Sequence, residues 1–187
     1  MAKYVLASQS PRRKQLLEWA ELDFEILVLP TDESFPEHLS PAEAAIYISQ
    51  QKARAVKQHY KEERPIIAAD TIVVLDNNII GKPANRQHAV EILTNLNGRT
   101  HQVITGVCIA TTGETYFADT TEVEFHNITA KEIEWYVDKY KPYDKAGAYA
   151  IQEWIGVVGI KRVNGDFYNV MGLPVSRVVQ VLKNLET

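Results

Sequence analysis

The chain has one cysteine, no long apolar run and no strong excess of either charge. Cys108 excludes a disulfide within these 187 residues and, between Val107 and Ile109, is typical of a strand core. No run approaches the ~20 apolar residues of a membrane span, and no signal-peptide pattern opens the chain. We therefore expect a cytoplasmic protein without a membrane partner. A net charge of −4 disfavours a general nucleic-acid binder.

Several motifs that carry chemistry are also missing. The sequence contains no P-loop, no G-x-G-x-x-G turn and no G-x-S-x-G nucleophile elbow. Its five histidines are scattered, with no pair at metal-ligand spacing, which disfavours a zinc site and a histidine-based triad. Catalysis by this chain would therefore have to use carboxylates and cations.

The length and the 45% hydrophobic content suffice for one well-buried core, so we expect a single domain over residues 1–187 or two tightly fused lobes. Apolar runs alternate with helix caps, which predicts an α/β fold with a mixed sheet. The predicted strands cover residues 4–7, 24–29, 66–75, 79–81, 103–111, 115–125 and 156–163. The predicted helices follow the caps Ser10, Ser40, Asn85 and Thr129, and a last helix opens at Pro174.

The first predicted helix begins with an unusual concentration of positive charge. Ser10 is the predicted N-cap and Pro11 the first helical residue, and Arg12, Arg13 and Lys14 follow directly. The helix dipole disfavours cations at this end, unless an anion binds there to the backbone N–H groups and the guanidinium groups. A solvated basic turn is the alternative, because exposed charges at a helix start change stability by less than ~1 kcal/mol.

Asp70 is the strongest candidate among the carboxylates, because it interrupts the apolar run of residues 66–74. A buried, unpaired charge in the middle of a strand would cost several kcal/mol. Asp70 therefore either reaches a cleft and a cation, or caps a bend in the strand. We favour the first interpretation, because acids with perturbed surroundings cluster in active sites.

Four other polar residues are weaker candidates when each is taken alone. Glu33 would be an ordinary loop acid, and Lys52 a solvated helix residue. Lys82 stands between glycine and proline, which fix the backbone that carries it. Gln152 ends a loop of small and aromatic residues, and its amide could match a donor and an acceptor on the edge of a base.

Taken together, these segments resemble the Maf family of nucleoside triphosphate pyrophosphatases. The resemblance spans essentially the whole chain, in the family's order, and is specific as a set although each motif alone is modest. The matching segments are residues 8–13, 32–33, 51–53, 69–71, 81–83, 105–107, 144–149 and 169–174.

The resemblance implies the Maf/Ham1-like (ITPase-like) fold, a long mixed β-sheet flanked by helices with two lobes around a central cleft. It implies hydrolysis of a nucleoside triphosphate to the monophosphate and pyrophosphate, with the clearing of non-standard nucleotides and cell-division arrest as associated roles. The family's association with septum formation leaves open a non-catalytic, nucleotide-binding regulator. No motif sets the oligomeric state, and a homodimer is our working expectation.

The resemblance also implies which residues act on the triphosphate. Asp70, Lys82 and Lys52 are the expected catalytic residues, with Asp70 as general base for the attacking water. Glu33 and Asp70 are the expected ligands of a divalent metal cation, Mg²⁺ with Mn²⁺ as the alternative, because hard cations prefer oxygen ligands. The roles of base and metal ligand partly compete at Asp70.

The remaining expected roles concern phosphate binding and the choice of base. Ser8 and Arg13 are expected to bind the phosphates. Arg12, Thr71 and Gln152 resemble the branch of the family that acts on dTTP and UTP. Gln152 and Arg12 can hydrogen-bond a neutral pyrimidine, and Thr71 leaves room beside it. The alternative is a pyrophosphatase for 7-methyl-GTP or ITP.

Overall fold

Strands and helices alternate along residues 3–185, the part of the chain that the computed structural model describes. No helix in this range is both long and apolar enough to cross a membrane. The strands are β1 (Tyr4–Leu6), β2 (Phe24–Ile26), β3 (Ile66–Leu75), β4 (Asn78–Ile80), β5 (Thr100–Ala110), β6 (Glu114–Phe125) and β7 (Ile160–Asn164). The helices are α1 (Pro11–Trp19), α2 (Pro41–Tyr60), α3 (Arg86–Leu96), α4 (Ala130–Tyr140), α5 (Trp154–Gly159), α6 (Phe167–Met171) and α7 (Val175–Leu185), with a 3₁₀ turn at Ala146–Ala148.

One mixed sheet contains these strands, in the order β2-β1-β3-β5-β6-β7, with β4 paired to β3. The pairs β1–β2 and β1–β3 are parallel, whereas β3–β4 and β6–β7 are antiparallel. Parallel neighbours require a crossover connection, and antiparallel neighbours can be joined by a tight turn. The predicted α/β fold with a mixed sheet is confirmed.

The described residues divide into two compact units. The first contains residues 3–71, 105–119 and 172–185, and the second contains residues 72–104 and 120–171. A core cluster of the first unit includes Val5, Ile66 and Cys108, all fully buried. Burial raises the pKa of the Cys108 thiol to about 12, so the thiol is uncharged, as expected of a strand-core cysteine.

The four predicted helix caps are confirmed at the starts of α1, α2, α3 and α4: Ser10, Ser40, Asn85 and Thr129. At α2, the Ser40 backbone N–H donates to Glu43 Oε2 at 2.8 Å, and the Glu43 N–H donates to Ser40 Oγ at 3.4 Å. This reciprocal pair satisfies two N–H groups that a helix start leaves without partners. Because capping is a local interaction, these starts follow directly from the sequence.

The predicted strand over residues 156–163 is wrong in its first half, which forms α5 instead. The Glu153 carbonyl accepts a hydrogen bond from the Gly156 N–H at 2.9 Å and starts the helix. Trp154 packs edge-on against Trp135 of α4, with 4.8 Å between the ring centroids. Tertiary packing therefore overrides the strand preference of the two valines in this segment.

Two smaller differences concern short elements. The strand predicted over residues 24–29 ends at Ile26, which pairs with Leu6, the last residue of its parallel partner β1. Beyond that point β1 offers no further residue to pair with. Helix α6 was not predicted, because five residues are too few to establish a helical period.

A buried histidine lies in an aromatic cluster of the second unit. His101 is 2% exposed, its Nε2 lies 2.7 Å from Tyr149 Oη, and its ring packs edge-on against Phe125. Nδ1 has no hydrogen-bond partner among residues 3–185. Burial lowers the pKa of His101 from 6.5 to about 4, so the ring is neutral at pH 7.

Substituting His101→Gln removes this titration and should flatten the acid dependence of stability. The unfolded wild type binds a proton at His101 below pH 6.5, whereas the folded protein binds it only near pH 4. The wild-type free energy of unfolding should therefore fall relative to the variant between these pH values, by about 3 kcal/mol in all. Urea unfolding of both proteins from pH 4 to 8 measures the difference. A difference that is independent of pH would contradict the assignment.

Candidate active site

An ammonium group between two carboxylates forms the centre of the candidate site. Lys52 Nζ lies 2.6 Å from Asp70 Oδ1 and 2.8 Å from Glu33 Oε1. Helix α2 carries Lys52, strand β3 carries Asp70, and the loop after β2 carries Glu33. The side chains of Lys52 and Asp70 are only 16% and 14% exposed, so their ion pair is less screened than a surface pair. The fold therefore brings three of the predicted site residues together within the first unit.

The position of Asp70 in β3 accounts for its contact with a cation. The strand is buried throughout except at Asp70 and Thr71, which are half-buried. An unpaired carboxylate at such a position would cost several kcal/mol. Of the two interpretations of Asp70, the structure therefore shows the one in which a cation meets the carboxylate.

Arg13 is a buried cation whose three side-chain hydrogen bonds go to neutral oxygens. Its Nε donates to the Gly172 carbonyl at 2.7 Å, Nη1 to Ser8 Oγ at 3.3 Å and Nη2 to Thr71 Oγ1 at 3.0 Å. Burial lowers the pKa of the guanidinium, while the charge of Asp70 acts in the opposite direction. Because none of these partners carries a negative charge, a bound anion would stabilise Arg13 further.

The three cations at the start of α1 differ in their surroundings. Lys14 is half exposed and forms a 3.4 Å pair with Glu18 one turn later. Arg12 is half-buried, and Arg13 is buried. The interpretation as a solvated basic turn therefore holds for Lys14 but not for Arg13.

Gly172 supplies a carbonyl to Arg13 from a backbone conformation that favours glycine. Its φ is +121°, a region that residues with a side chain rarely adopt. The interaction joins residues 159 positions apart, so local sequence patterns could not reveal it. The only signal in the sequence was the match of residues 169–174 to the Maf family.

A hydroxyl pair behind Arg13 was also missed. Thr71 Oγ1 accepts the hydrogen bond from Arg13 and lies 2.9 Å from Oγ1 of Thr105, which is fully buried. Thr71 therefore helps to hold Arg13 in place. Its predicted role in the choice of base stays a prediction.

The packing of α2 determines where Lys52 lies. A Cβ atom added at Gly106 of β5 would come within 2.3–2.5 Å of the backbone of Ala45 and Ile46, so only glycine permits this approach. Further along α2, Arg54 forms two 2.7 Å hydrogen bonds with the Glu114 carboxylate of β6. These contacts hold α2 close to the sheet strands of the first unit.

The second unit carries the other two predicted site residues, Lys82 and Gln152. Lys82 lies between β4 and α3, and the carbonyl of its neighbour Gly81 accepts a hydrogen bond from the Gly147 N–H at 3.3 Å. Gln152 is exposed in the turn before α5. The segment that contains Lys82 is thus tied to the loop that leads to Gln152.

The oxygen donors available to a metal ion are few. Within residues 3–185, no group of three or more His, Cys, Asp or Glu side chains is arranged to hold one. Glu33 and Asp70 nevertheless direct carboxylate oxygens at one cationic atom, Lys52 Nζ. Two carboxylates form an incomplete shell for a hard cation, which would need further oxygens from a ligand or from water.

Comparison with solved structures shows that the chain shares the fold of the Ham1 protein. The Staphylococcus aureus Ham1 protein superimposes with a TM-score of 0.52 over 98% of this chain and 99% of its own. The two sequences are 18% identical, so the likeness concerns the fold alone.

Sequence comparison identifies the family within this fold. A family model described as Maf-like protein matches residues 3–185, and the chain belongs to this family. A Bacteroides thetaiotaomicron protein named dTTP/UTP pyrophosphatase is 48% identical over 97% of this chain and 95% of its own length. A Parabacteroides distasonis protein of the same name shows the same identity and coverage.

Substituting Gly106→Ala should destabilise the protein, because the new methyl group would collide with the backbone of α2. We expect a loss of about 1–3 kcal/mol in the free energy of unfolding, typical of overpacking, measured by chemical denaturation.

Gly113→Ala is the matched control, since Gly113 lies in the turn between β5 and β6 with nothing within 4 Å of an added Cβ. This variant should unfold like the wild type. If Gly106→Ala were as stable as Gly113→Ala, the close approach of α2 to β5 would not be a constraint.

Proposed function

We propose that this protein hydrolyses dTTP and UTP to the nucleoside monophosphate and pyrophosphate. The names of relatives that are 48% identical over nearly the whole chain support this proposal. The structural observation that carries it is the contact of Lys52 with Asp70 and Glu33, next to the buried guanidinium of Arg13. The catalytic and binding roles below are part of the same proposal.

The cations match the charge of the substrate. A nucleoside triphosphate carries about four negative charges, and positioned cations stabilise those that develop during phosphoryl transfer. Arg13 is held by neutral oxygens, so a phosphate can take the place of an ionic partner. Ser8 adds a hydroxyl beside it, and Lys52 and Lys82 supply further positive charge.

Asp70 is the proposed general base. Its carboxylate takes a proton from water, whose oxygen bonds to the α-phosphorus as the bond to the bridging oxygen breaks. Pyrophosphate leaves with that bridging oxygen. Lys52, 2.6 Å from Asp70 Oδ1, fixes the orientation of the carboxylate through a charged hydrogen bond.

The two carboxylates also suit a divalent metal cation, which is part of the proposal. Glu33 and Asp70 would hold Mg²⁺, or Mn²⁺, because they already converge on one positive charge and offer hard oxygen donors. Phosphate oxygens and water would supply the remaining ligands. When bound, the metal would neutralise phosphate charge and polarise a phosphoryl oxygen.

The choice of base is assigned to Arg12, Thr71 and Gln152. Thymine and uracil present carbonyl acceptors and one N3–H donor, which the amide of Gln152 can match with a donor and an acceptor. Cytosine inverts part of this pattern, with an exocyclic amine and an unprotonated N3. A site that hydrogen-bonds one pattern disfavours the other strongly, whereas one methyl group changes binding by only ~1–3 kcal/mol. Strong discrimination between dTTP and UTP is therefore not expected.

Substituting Asp70→Asn should reduce pyrophosphate release by at least about 10²–10⁴-fold, because the general base is lost, while the fold is retained. Turnover of UTP together with circular dichroism checks both expectations.

Asp76→Asn is the matched control, because Asp76 follows the same strand and pairs with Arg99 on the surface. It should release pyrophosphate at the wild-type rate. An Asp70→Asn enzyme as active as this control would exclude Asp70 as the base.

A nucleotide panel tests the substrate assignment. Pyrophosphate release should be fastest with dTTP and UTP, weaker with CTP, and dependent on added Mg²⁺ or Mn²⁺. Faster release from 7-methyl-GTP or ITP would refute the pyrimidine assignment and leave the pyrophosphatase chemistry standing. Nucleotide binding without any pyrophosphate release would favour the non-catalytic regulator.

A further inference from the structure

One buried hydroxyl ties together the chain on both sides of Gln152. Tyr136 Oη of α4 donates a hydrogen bond to Glu153 Oε2 and accepts one from the Ala150 N–H at 3.3 Å. The Glu153 N–H donates in turn to the Ala150 carbonyl at 3.1 Å, which closes the turn. Gln152 lies inside this closed turn, and its own side chain is exposed.

The ring that carries this hydroxyl is itself fixed. Tyr136 is fully buried and stacks on Tyr140, with 4.9 Å between the ring centroids and 25° between the ring planes. The Tyr136 ring also stacks on Trp154, the first residue of α5, which directly follows Glu153. The ring centroids are 6.5 Å apart and the ring planes differ by 26°. Helix α4 therefore holds the turn through both a hydroxyl and a ring.

The surroundings of the turn keep the hydroxyl of Tyr136 protonated, so that it remains the donor to Glu153. Glu153 is 20% exposed, and its Oε1 lies 3.8 Å from Lys145 Nζ, an ammonium that also pairs with Asp144 at 2.8 Å. Burial and the hydrogen bond to Glu153 raise the pKa of Tyr136 well above its usual value. Tyr136 therefore stays protonated and donates to Glu153 throughout the physiological pH range.

We propose that Tyr136 and Glu153 are positioning residues for pyrimidine recognition, holding the turn of Ala150 and Glu153 so that Gln152 meets the base in one orientation. The inference rests on the proposed function, in which Gln152 distinguishes uracil from cytosine. A side chain that reads a base edge must keep its place closely, because a displacement of about 1 Å can cost about a hundredfold in rate. Exposed turns have no such precision unless their backbone is held.

The variant Tyr136→Phe keeps the ring and removes the hydroxyl. We expect the ratio of kcat/KM for UTP to that for CTP to fall by about tenfold, within the loss that such a displacement causes. Gln152→Ala should also lower this ratio. In the double variant that combines Tyr136→Phe with Gln152→Ala, the ratio should fall by the same factor as in Gln152→Ala alone, because Tyr136 acts only through Gln152.

Two further substitutions separate positioning from general stability. Tyr149→Phe deletes another buried hydroxyl of the same unit, which is bonded to His101 rather than to the turn. It should lower thermal stability but leave the UTP-to-CTP ratio unchanged. Glu153→Gln retains an acceptor for Tyr136 and should preserve the ratio, whereas Glu153→Ala should lower it as Tyr136→Phe does.

Amide hydrogen exchange across residues 150–153 supplies a readout that needs no substrate. The exchange should be faster in Tyr136→Phe than in the wild type and in Tyr149→Phe. Unchanged exchange, or faster exchange with an unchanged ratio, overturns the positioning role. If Gln152→Ala leaves the ratio unchanged, the assignment of Gln152 fails and the inference fails with it. Proportional losses for UTP and CTP in Tyr136→Phe would indicate a structural role only.

Discussion

The ion pair between Lys52 and Asp70 allows a charged residue to stand inside an otherwise apolar strand. Asp70 could not lie there alone, so the position of α2 and the position of β3 have to be set together. Gly106 permits the helix to approach the sheet, and Arg54 with Glu114 holds it further along. The packing of the first unit and the geometry of its candidate site therefore depend on the same contacts.

Arg13 shows a second way of keeping a cation in the interior. Three donors of one planar group point in fixed directions, toward a carbonyl and two hydroxyls. A lysine could not replace it, because an ammonium has no rigid fork that reaches three such oxygens at once. These hydrogen bonds fix the orientation of the guanidinium group. Because none of their acceptors is charged, the positive charge of Arg13 can still attract an anionic ligand.

Local rules were enough to predict much of this structure. The caps at Ser40 and Thr129 are short-range patterns, and the apolar run of β3 needs no tertiary contact to be recognised. Asp70 stood out because its charge conflicts with that run. The first half of the last predicted strand was wrong, because the packing of Trp154 on α4 outweighs local preference.

The parts of the site that sequence analysis missed are those made by distant residues. The contact of Gly172 with Arg13 and that of Thr71 with Thr105 follow from the course of the folded chain. Family resemblance marked these segments as important but did not indicate what they touch. A residue in conflict with its neighbours, such as Asp70, is recognisable from one sequence, whereas a contact partner is recognisable only when it lies nearby in the chain.

The single cysteine has a practical consequence for measuring motion in the first unit. Cys108 lies in the same core cluster as Ala53 of α2 and Ala68 of β3, near the residues that carry the ion pair. Thiol reagents attack the thiolate, and burial both raises the pKa of Cys108 and blocks access to it. Chemical labelling therefore has to wait until this core opens, and no other thiol in the 187 residues contributes to the signal. The rate at which Cys108 is labelled therefore reports how often the core next to the candidate site opens.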